Sequence, residues 1–162
     1  MFESNFPGSA ENKVRAGATI RCEVDGITYR ATVYRDDDAT SPAERDEGFW
    51  PSLDPRAPGF IGENPERSFE TQQADCEAVV TRWKAGKMVY CGIAVTATKA
   101  GVELIGDFDH ALWGVDVNWP FGNNDYLRDV ANELLDEARS TAEAELVRKI
   151  EAARNTLAAL ES

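Results

Sequence analysis

The first clear pattern is an alternation of apolar and polar residues between positions 14 and 33. One face carries the apolar side chains of Ile20, Cys22, Val24, Ile27, Tyr29, Ala31 and Val33. Asp25-Gly26 interrupts the alternation, and this dipeptide is favoured in two-residue turns whose central residues both need a positive φ. The pattern therefore predicts a β-hairpin.

Helical and strand patterns follow one another after the hairpin. Asn64-Pro65 has the residues of a helix start, and apolar residues recur at helical spacing from there until Gly86. Alternation predicts strands over 88–98, over Val102–Ile105 and over 111–119. On the last of these strands one face is expected to carry Ala111, Trp113, Val115, Val117 and Trp119.

The last segment predicts one long helix. Asn124 and Asp125 provide capping side chains, and neither Gly nor Pro follows before Leu160. Apolar residues in the second half have the strict 4-3-4-3 spacing of a coiled-coil seam: Leu146, Ile150, Ala153, Leu157 and Leu160. We expect this stripe to pair with a second copy of the chain in a homodimer.

The order ββ-α-ββ(β)-α predicts an α+β fold, in which an antiparallel sheet of four to five strands is covered by helices. The expected domain comprises residues 1–137, and residues 138–162 form a helical extension continuous with its last helix. The polar segment 1–12 predicts a loose N-terminus. Residues 36–64 contain four Pro and three Gly and predict a long loop without helix or strand.

Composition excludes several classes of protein. The 162 residues include 29 acidic and 17 basic side chains, and the net charge of −12 argues against direct binding to nucleic acid or to an anionic membrane. A hydrophobic content of 43% argues against a wholly disordered chain. Three cysteines without CxxC spacing, and a start without a signal-peptide pattern, favour the cytoplasm.

The negative charge is concentrated in two segments. Residues 36–77 contain twelve acids and three bases, and residues 107–137 contain eight acids and one base. By contrast, residues 1–35 have a net charge of +1 and residues 78–106 a net charge of +3. The excess is therefore localised, as expected for a binding surface, although solubility alone would also be served by acidic residues.

Both acidic segments also contain aromatic side chains. Carboxylates spaced along such a surface resemble the phosphates of a nucleic-acid strand, so the surface is expected to bind a basic, nucleic-acid-binding protein. The residues expected to contribute are Asp36, Asp37, Asp38, Trp50, Asp107, Asp109, Asp116, Trp119, Asp125 and Asp129. Whether the two segments lie on one face decides between binding and solvation.

Two other functions remain open. The first is a structural or accessory dimer whose acidity serves only solubility. The second is a metal-dependent enzyme, because Asp107 and Asp109 would lie on the same side of an extended segment and carboxylates are ligands for Mg²⁺. The chain has one histidine and no common nucleotide-binding or hydrolase motif, so neither a catalytic residue nor a cofactor is predicted.

Four short motifs carry a resemblance to a known group. They are Glu47-Gly48-Phe49-Trp50-Pro51-Ser52, Tyr90-Cys91-Gly92-Ile93, Leu112-Trp113-Gly114 and Val130-Ala131-Asn132-Glu133-Leu134-Leu135. Over roughly residues 46–136 the chain resembles small uncharacterised proteins of bacteriophages and prophages. The resemblance implies a phage setting in the cytoplasm of a bacterial host, where small acidic proteins often inhibit restriction or CRISPR systems. It assigns no activity to particular residues.

Overall fold

The computed structural model describes residues 1–161, and its elements confirm the predicted α+β fold. The five strands are β1 (Thr19–Val24), β2 (Ile27–Arg35), β3 (Val89–Lys99), β4 (Val102–Ile105) and β5 (Ala111–Val117). The helices are α1 (Pro42–Arg45), α2 (Phe69–Lys84) and α3 (Tyr126–Leu160). Ser162, the last residue of the predicted extension, lies outside the described residues.

All five strands form one antiparallel sheet with β3 at its centre. β2 pairs with one edge of β3, while β5 and β4 pair with successive halves of its other edge. Residues 106–110 connect β4 to β5 along that edge, and the Val95 amide donates to the His110 carbonyl, 2.9 Å away. The end of the connection at His110 is therefore fixed beside β3, and the preceding residues can place their side chains over the sheet.

The predicted hairpin is confirmed. β1 pairs with β2 from Thr19↔Thr32 to Val24↔Ile27. Asp25 and Gly26 form the turn with φ angles of 54° and 71°, as the sequence predicted for this dipeptide.

The strand β5 does not keep its predicted alternation. Its pairing with β3 shifts register between Cys91 and Ile93, so β5 has one extra residue there. Gly114 takes up the bulge with a φ of 76°. Trp113 is thereby turned away from the face of Val115, with which it was predicted to share a side.

The main core lies between one face of the sheet and α3. The sheet contributes Tyr29, Ala31, Val33, Cys91, Ile93, Val95 and Ala97, and the helix contributes Leu127, Ala131, Leu134, Leu135, Ala138 and Ala142. Each Å² of apolar surface buried in this core contributes about 25 cal/mol to stability, and this burial is the dominant stabilising contribution. Its packing reaches past the expected domain boundary at residue 137 as far as the half-buried Leu146.

The N-terminus is packed, which corrects the expectation of a loose segment over 1–12. Phe2 and Phe6 are buried in the main core. The Phe2 amide donates to Asn132 Oδ1 at 2.8 Å, and Asn132 Nδ2 donates back to the Phe2 carbonyl at 3.2 Å. The sequence did not predict that this segment is packed, because two isolated aromatic residues in a polar stretch form no periodic pattern.

Two further predictions need correction on the other side of the sheet. α2 begins at Phe69 rather than at Asn64-Pro65, because the Ser68 hydroxyl caps it by accepting from the Thr71 amide at 3.2 Å. The loop 36–64 contains a four-residue helix, α1, and an isolated bridge between Ser52 and Phe60. The proline that was expected only to break structure instead starts α1 at Pro42.

The long helix α3 extends beyond the rest of the fold. It has 35 residues, which corresponds to about 52 Å. Its buried positions end at Ala142. Within the described part of the chain, no helix is both long enough and apolar enough to cross a membrane.

Candidate interaction site

An aromatic cluster covers the sheet face opposite α3. Its centre is Gly92 on β3, which pairs with Tyr34 of β2. The indole of Trp113 lies directly over this glycine, since a Cβ at Gly92 would be 2.6 Å from Trp113 Cε3. The missing side chain of Gly92 therefore makes the space that Trp113 fills.

Phe108 completes the cluster from the connection between β4 and β5. Its ring centroid is 4.8 Å from that of Tyr34 and 5.8 Å from that of Trp113, distances at which aromatic pairs attract. Phe108 has a φ of 72°, which turns its side chain back over the sheet. Even so, Phe108 is 51% exposed and Trp113 is 47% exposed, so the cluster presents apolar surface to solvent.

Parts of both acidic segments lie close to this cluster. Asp107 Oδ1 accepts a hydrogen bond from the Tyr34 hydroxyl at 3.3 Å. The chain from Asp36 to Asp38 continues from the end of β2, and the Asp36 amide donates to the Tyr90 carbonyl on β3 at 3.1 Å. The two acidic segments therefore approach each other beside Tyr34 and Tyr90.

We call this surface the acidic aromatic face. It comprises Tyr34, Asp107, Phe108, Asp109, Trp113 and Asp116, together with the adjoining chain Asp36, Asp37 and Asp38 at the end of β2. Six of these residues are among the candidates selected from the sequence.

Basic side chains also lie at the acidic aromatic face: Arg45 beside Tyr90, Arg35 paired with Asp37, and Arg30, whose charge opposes the rise in the pKa of Tyr34. Asp116 pairs across the strands with Tyr90, and the Arg45 guanidinium carbon is 3.9 Å from the centroid of the Tyr90 ring. Loss of water around Asp116 raises the pKa of its carboxyl, and the positive charge of Arg45 opposes that rise. Arg45 thus links the loop 36–64 to the second acidic segment.

Burial also raises the pKa of Tyr34, with a further contribution from the negative charge of Asp107. The Tyr34 hydroxyl therefore keeps its proton and remains a donor to Asp107 at neutral pH. This hydrogen bond holds the carboxylate beside the aromatic rings.

Four of the candidates selected from the sequence lie elsewhere. Asp125 accepts from Asn5 Nδ2 at 2.8 Å, and Asp129 pairs with Arg128, so both carboxylates belong to the layer of α3. Trp119 is half-buried beyond the end of β5. Trp50 is 43% exposed, but it lies in the loop 36–64 and its ring contacts Phe49.

The geometry required for the metal hypothesis differs from the one expected. Asp107 to Asp109 form a turn rather than an extended segment. Asp109 Oδ2 accepts from the Gly106 amide at 3.1 Å, while Asp107 accepts from Tyr34. Over residues 1–161, no cluster of three Asp, Glu, His or Cys side chains is placed to hold a metal ion.

Three residues of the acidic aromatic face were not among the candidates selected from the sequence: Tyr34, Phe108 and Trp113. Trp113 was placed only on one face of the strand predicted over 111–119. A signal for Phe108 was present, since a large apolar residue flanked by two aspartates in a turn is an unusual choice for a solvated connection. Nothing in the local sequence indicated that Tyr34 would face it across the sheet.

Comparison of the chain with protein-family models, curated proteins and solved structures finds no match.

Proposed function

We propose that this chain is a non-catalytic binding protein whose acidic aromatic face binds a basic, nucleic-acid-binding protein. The observation that carries the proposal is the approach of two separate acidic segments to each other beside an exposed aromatic cluster. Aromatic side chains supply much of the binding energy in protein interfaces, and the surrounding charges select the partner. An arrangement that served only solubility would not require the two segments to converge.

The sign of the charge identifies the class of partner. A surface on which carboxylates outnumber bases attracts cationic surfaces, and the strongest of these are grooves that bind the phosphate backbone. The hydrogen bond from Tyr34 also suits Asp107 to a binding interface, because the carboxylate is already fixed before a partner arrives. In the phage setting implied by the resemblance, the partner is a defence nuclease in the bacterial cytoplasm.

The test is capture from bacterial host lysate in the presence and absence of excess duplex DNA. The wild-type chain is expected to retain a basic protein, and duplex DNA is expected to displace it. In the variant Asp36→Asn/Asp38→Asn/Asp107→Asn we expect affinity to fall about tenfold, because three interface charges are removed while the amide at 107 still accepts from Tyr34. Affinities are measured by biolayer interferometry on the purified partner.

A matched control removes three carboxylates that lie outside the face. The variant Glu3→Gln/Glu143→Gln/Glu151→Gln changes the net charge equally, and all three side chains are exposed. It is expected to bind like the wild type. Equal losses in both triple variants, or a captured partner that duplex DNA fails to displace, would contradict the proposal.

The stripe along the end of α3 favours a second function, self-association. Ile150, Leu157 and Leu160 are 44%, 61% and 79% exposed, and Leu146 and Ala153 complete the 4-3-4-3 spacing. An apolar seam of this spacing matches a second copy of itself in a coiled coil. We propose that two chains pair along this stripe, as an accessory dimer would.

Glutamate substitutions on the stripe test this pairing. Sedimentation velocity of the full chain is expected to show a dimer, and Ile150→Glu/Leu157→Glu is expected to sediment as a monomer because the seam would bury like charges. The control Ala152→Glu/Ala158→Glu adds the same charge off the seam and should remain dimeric. A monomeric wild-type chain would refute the pairing.

A further inference from the structure

A basic cavity lies at the junction of the N-terminal segment, the end of α2 and the start of β3. Its volume is about 620 Å³, within the range of about 300–1,000 Å³ that small-molecule sites occupy. Five basic side chains line it: Lys13, Arg15, Arg35, Arg82 and Lys87. One acidic residue, Glu11, lines it as well. Such a concentration of bases is unexpected in a chain with a net charge of −12.

A buried polar network fixes the walls of the cavity. Asn118, which is 8% exposed, accepts from the Val14 amide through Oδ1 and donates to the Val14 carbonyl through Nδ2, both at 2.9 Å. The Asn118 carbonyl accepts from Arg82 Nε at 3.0 Å. Lys13 and Arg15 flank Val14 in the chain, so one asparagine positions bases from two distant segments.

Most of these bases lack acidic partners. Arg35 forms an ion pair with Asp37 at 3.1 Å. Among residues 1–161, neither Lys13, Arg15, Arg82 nor Lys87 forms an ion pair. Like charges brought together repel one another, and an anion bound between them would remove that repulsion.

We propose that this cavity binds a phosphate-bearing small molecule, with a pyrophosphate group as the part recognised. Two linked phosphates carry several negative charges. The four bases that form no ion pair within the described part of the chain, Lys13, Arg15, Arg82 and Lys87, can neutralise them. Because Arg82 uses its Nε on Asn118, its terminal nitrogens remain to donate to phosphate oxygens. The lysines act as point charges on the same group. Binding in this cavity does not depend on the function proposed for the acidic aromatic face.

The protonation state of the cysteine that lines the cavity indicates a binding site rather than a site of thiol catalysis. Cys91 lines the cavity, and burial raises the pKa of its thiol to about 11. The thiol is therefore protonated at neutral pH, and a protonated thiol is a poor nucleophile.

Isothermal titration calorimetry of the full chain tests the site, with pyrophosphate, inorganic phosphate, ATP and a single-stranded oligonucleotide as probes. Pyrophosphate and ATP are expected to bind, and inorganic phosphate to bind more weakly. In Lys13→Gln/Lys87→Gln we expect pyrophosphate affinity to fall about tenfold or more, since two of its charged donors are lost. The control Arg56→Gln/Arg154→Gln removes two exposed bases outside the cavity and should change affinity less than about twofold.

The remaining outcomes are also decisive. No heat of binding for pyrophosphate or ATP, or equal weakening in both double variants, would overturn the proposal. Tighter binding of the oligonucleotide than of pyrophosphate, lost in Lys13→Gln/Lys87→Gln, would replace the small molecule with a nucleic acid. Thermal melting without ligand distinguishes lost binding from lost folding, because removing clustered like charges should leave the melting temperature unchanged or higher.

Discussion

Replacing Asn118 by alanine is expected to lower the free energy of unfolding by about 3–5 kcal/mol, because it breaks a buried hydrogen-bond network. Its side chain bonds both backbone groups of Val14, and its Oδ1 also accepts from Asn124 Nδ2 at 3.0 Å. Alanine would remove the partners of both Val14 backbone groups in a buried site, while Asn124 Nδ2 would keep only its bond to Asn12 Oδ1. Equilibrium unfolding in urea, followed by tryptophan fluorescence, measures the loss.

The backbone at this position provides a second, separable contribution. Asn118 has a φ of 64°, a conformation that asparagine tolerates better than alanine and that glycine adopts freely. Asn118→Gly should therefore be less destabilising than Asn118→Ala by about 1 kcal/mol. The difference between the two variants isolates the cost of the backbone from that of the lost hydrogen bonds.

A nearby asparagine provides the control. Asn123 is exposed and bonds only Asp125, so Asn123→Ala should cost about 1 kcal/mol or less. A cost for Asn118→Ala no greater than that of Asn123→Ala would contradict the structural role of the network. Asn118→Ala should also weaken pyrophosphate binding, since Val14 no longer fixes Lys13 beside Arg82.

The sequence predicts the sheet well because its signals are local. Asp25-Gly26 determines a turn by the φ angles its residues allow, and the alternation around it determines the inward face. The start of α2 was wrong by several residues, since the hydroxyl of Ser68 caps the helix in preference to Asn64. Both were cap residues by type, and only the tertiary packing chooses between them.

The sites are harder to predict because they depend on contacts between distant residues. Asp107 reaches Tyr34 across β3, and no periodicity in the sequence indicates that contact. The basic cavity was present in the sequence only as two segments of positive net charge, 1–35 and 78–106. Their convergence depends on Asn118, which lies within the strand predicted over 111–119 but not on its apolar face, and which the structure buries.

The two sites together show that the net charge of −12 is unevenly distributed over the molecule. Part of the negative charge lies beside the aromatic cluster, at Asp107 and Asp116, and bases collect at the cavity. Arg35 joins the two regions, since it lines the cavity while pairing with Asp37 of the acidic aromatic face.

The second large effect is expected at Gly92, which lies beneath the indole of Trp113. A methyl group there would be 2.6 Å from Trp113 Cε3, so the indole must move away. Overpacking of this kind costs about 1–3 kcal/mol. Because Trp113 is on the surface it can swing outward, and Gly92→Ala should then weaken partner binding as strongly as Trp113→Ala does, by about thirtyfold for a central aromatic anchor. Urea unfolding and the interferometry assay measure the two effects.

A double-mutant cycle determines whether the clash with the indole is the cause. In a Trp113→Ala background the added methyl group meets no ring, so Gly92→Ala should cost little there, and the two substitutions should couple by about 1 kcal/mol or more. Gly122→Ala is the matched control, because nothing lies within 4 Å of a Cβ at that position. An equal cost for Gly92→Ala in both backgrounds would mean that the glycine serves the strand itself. Coupling confined to Gly92 and Trp113 would instead show that this glycine is kept without a side chain so that the indole can lie on the sheet and form the centre of the acidic aromatic face.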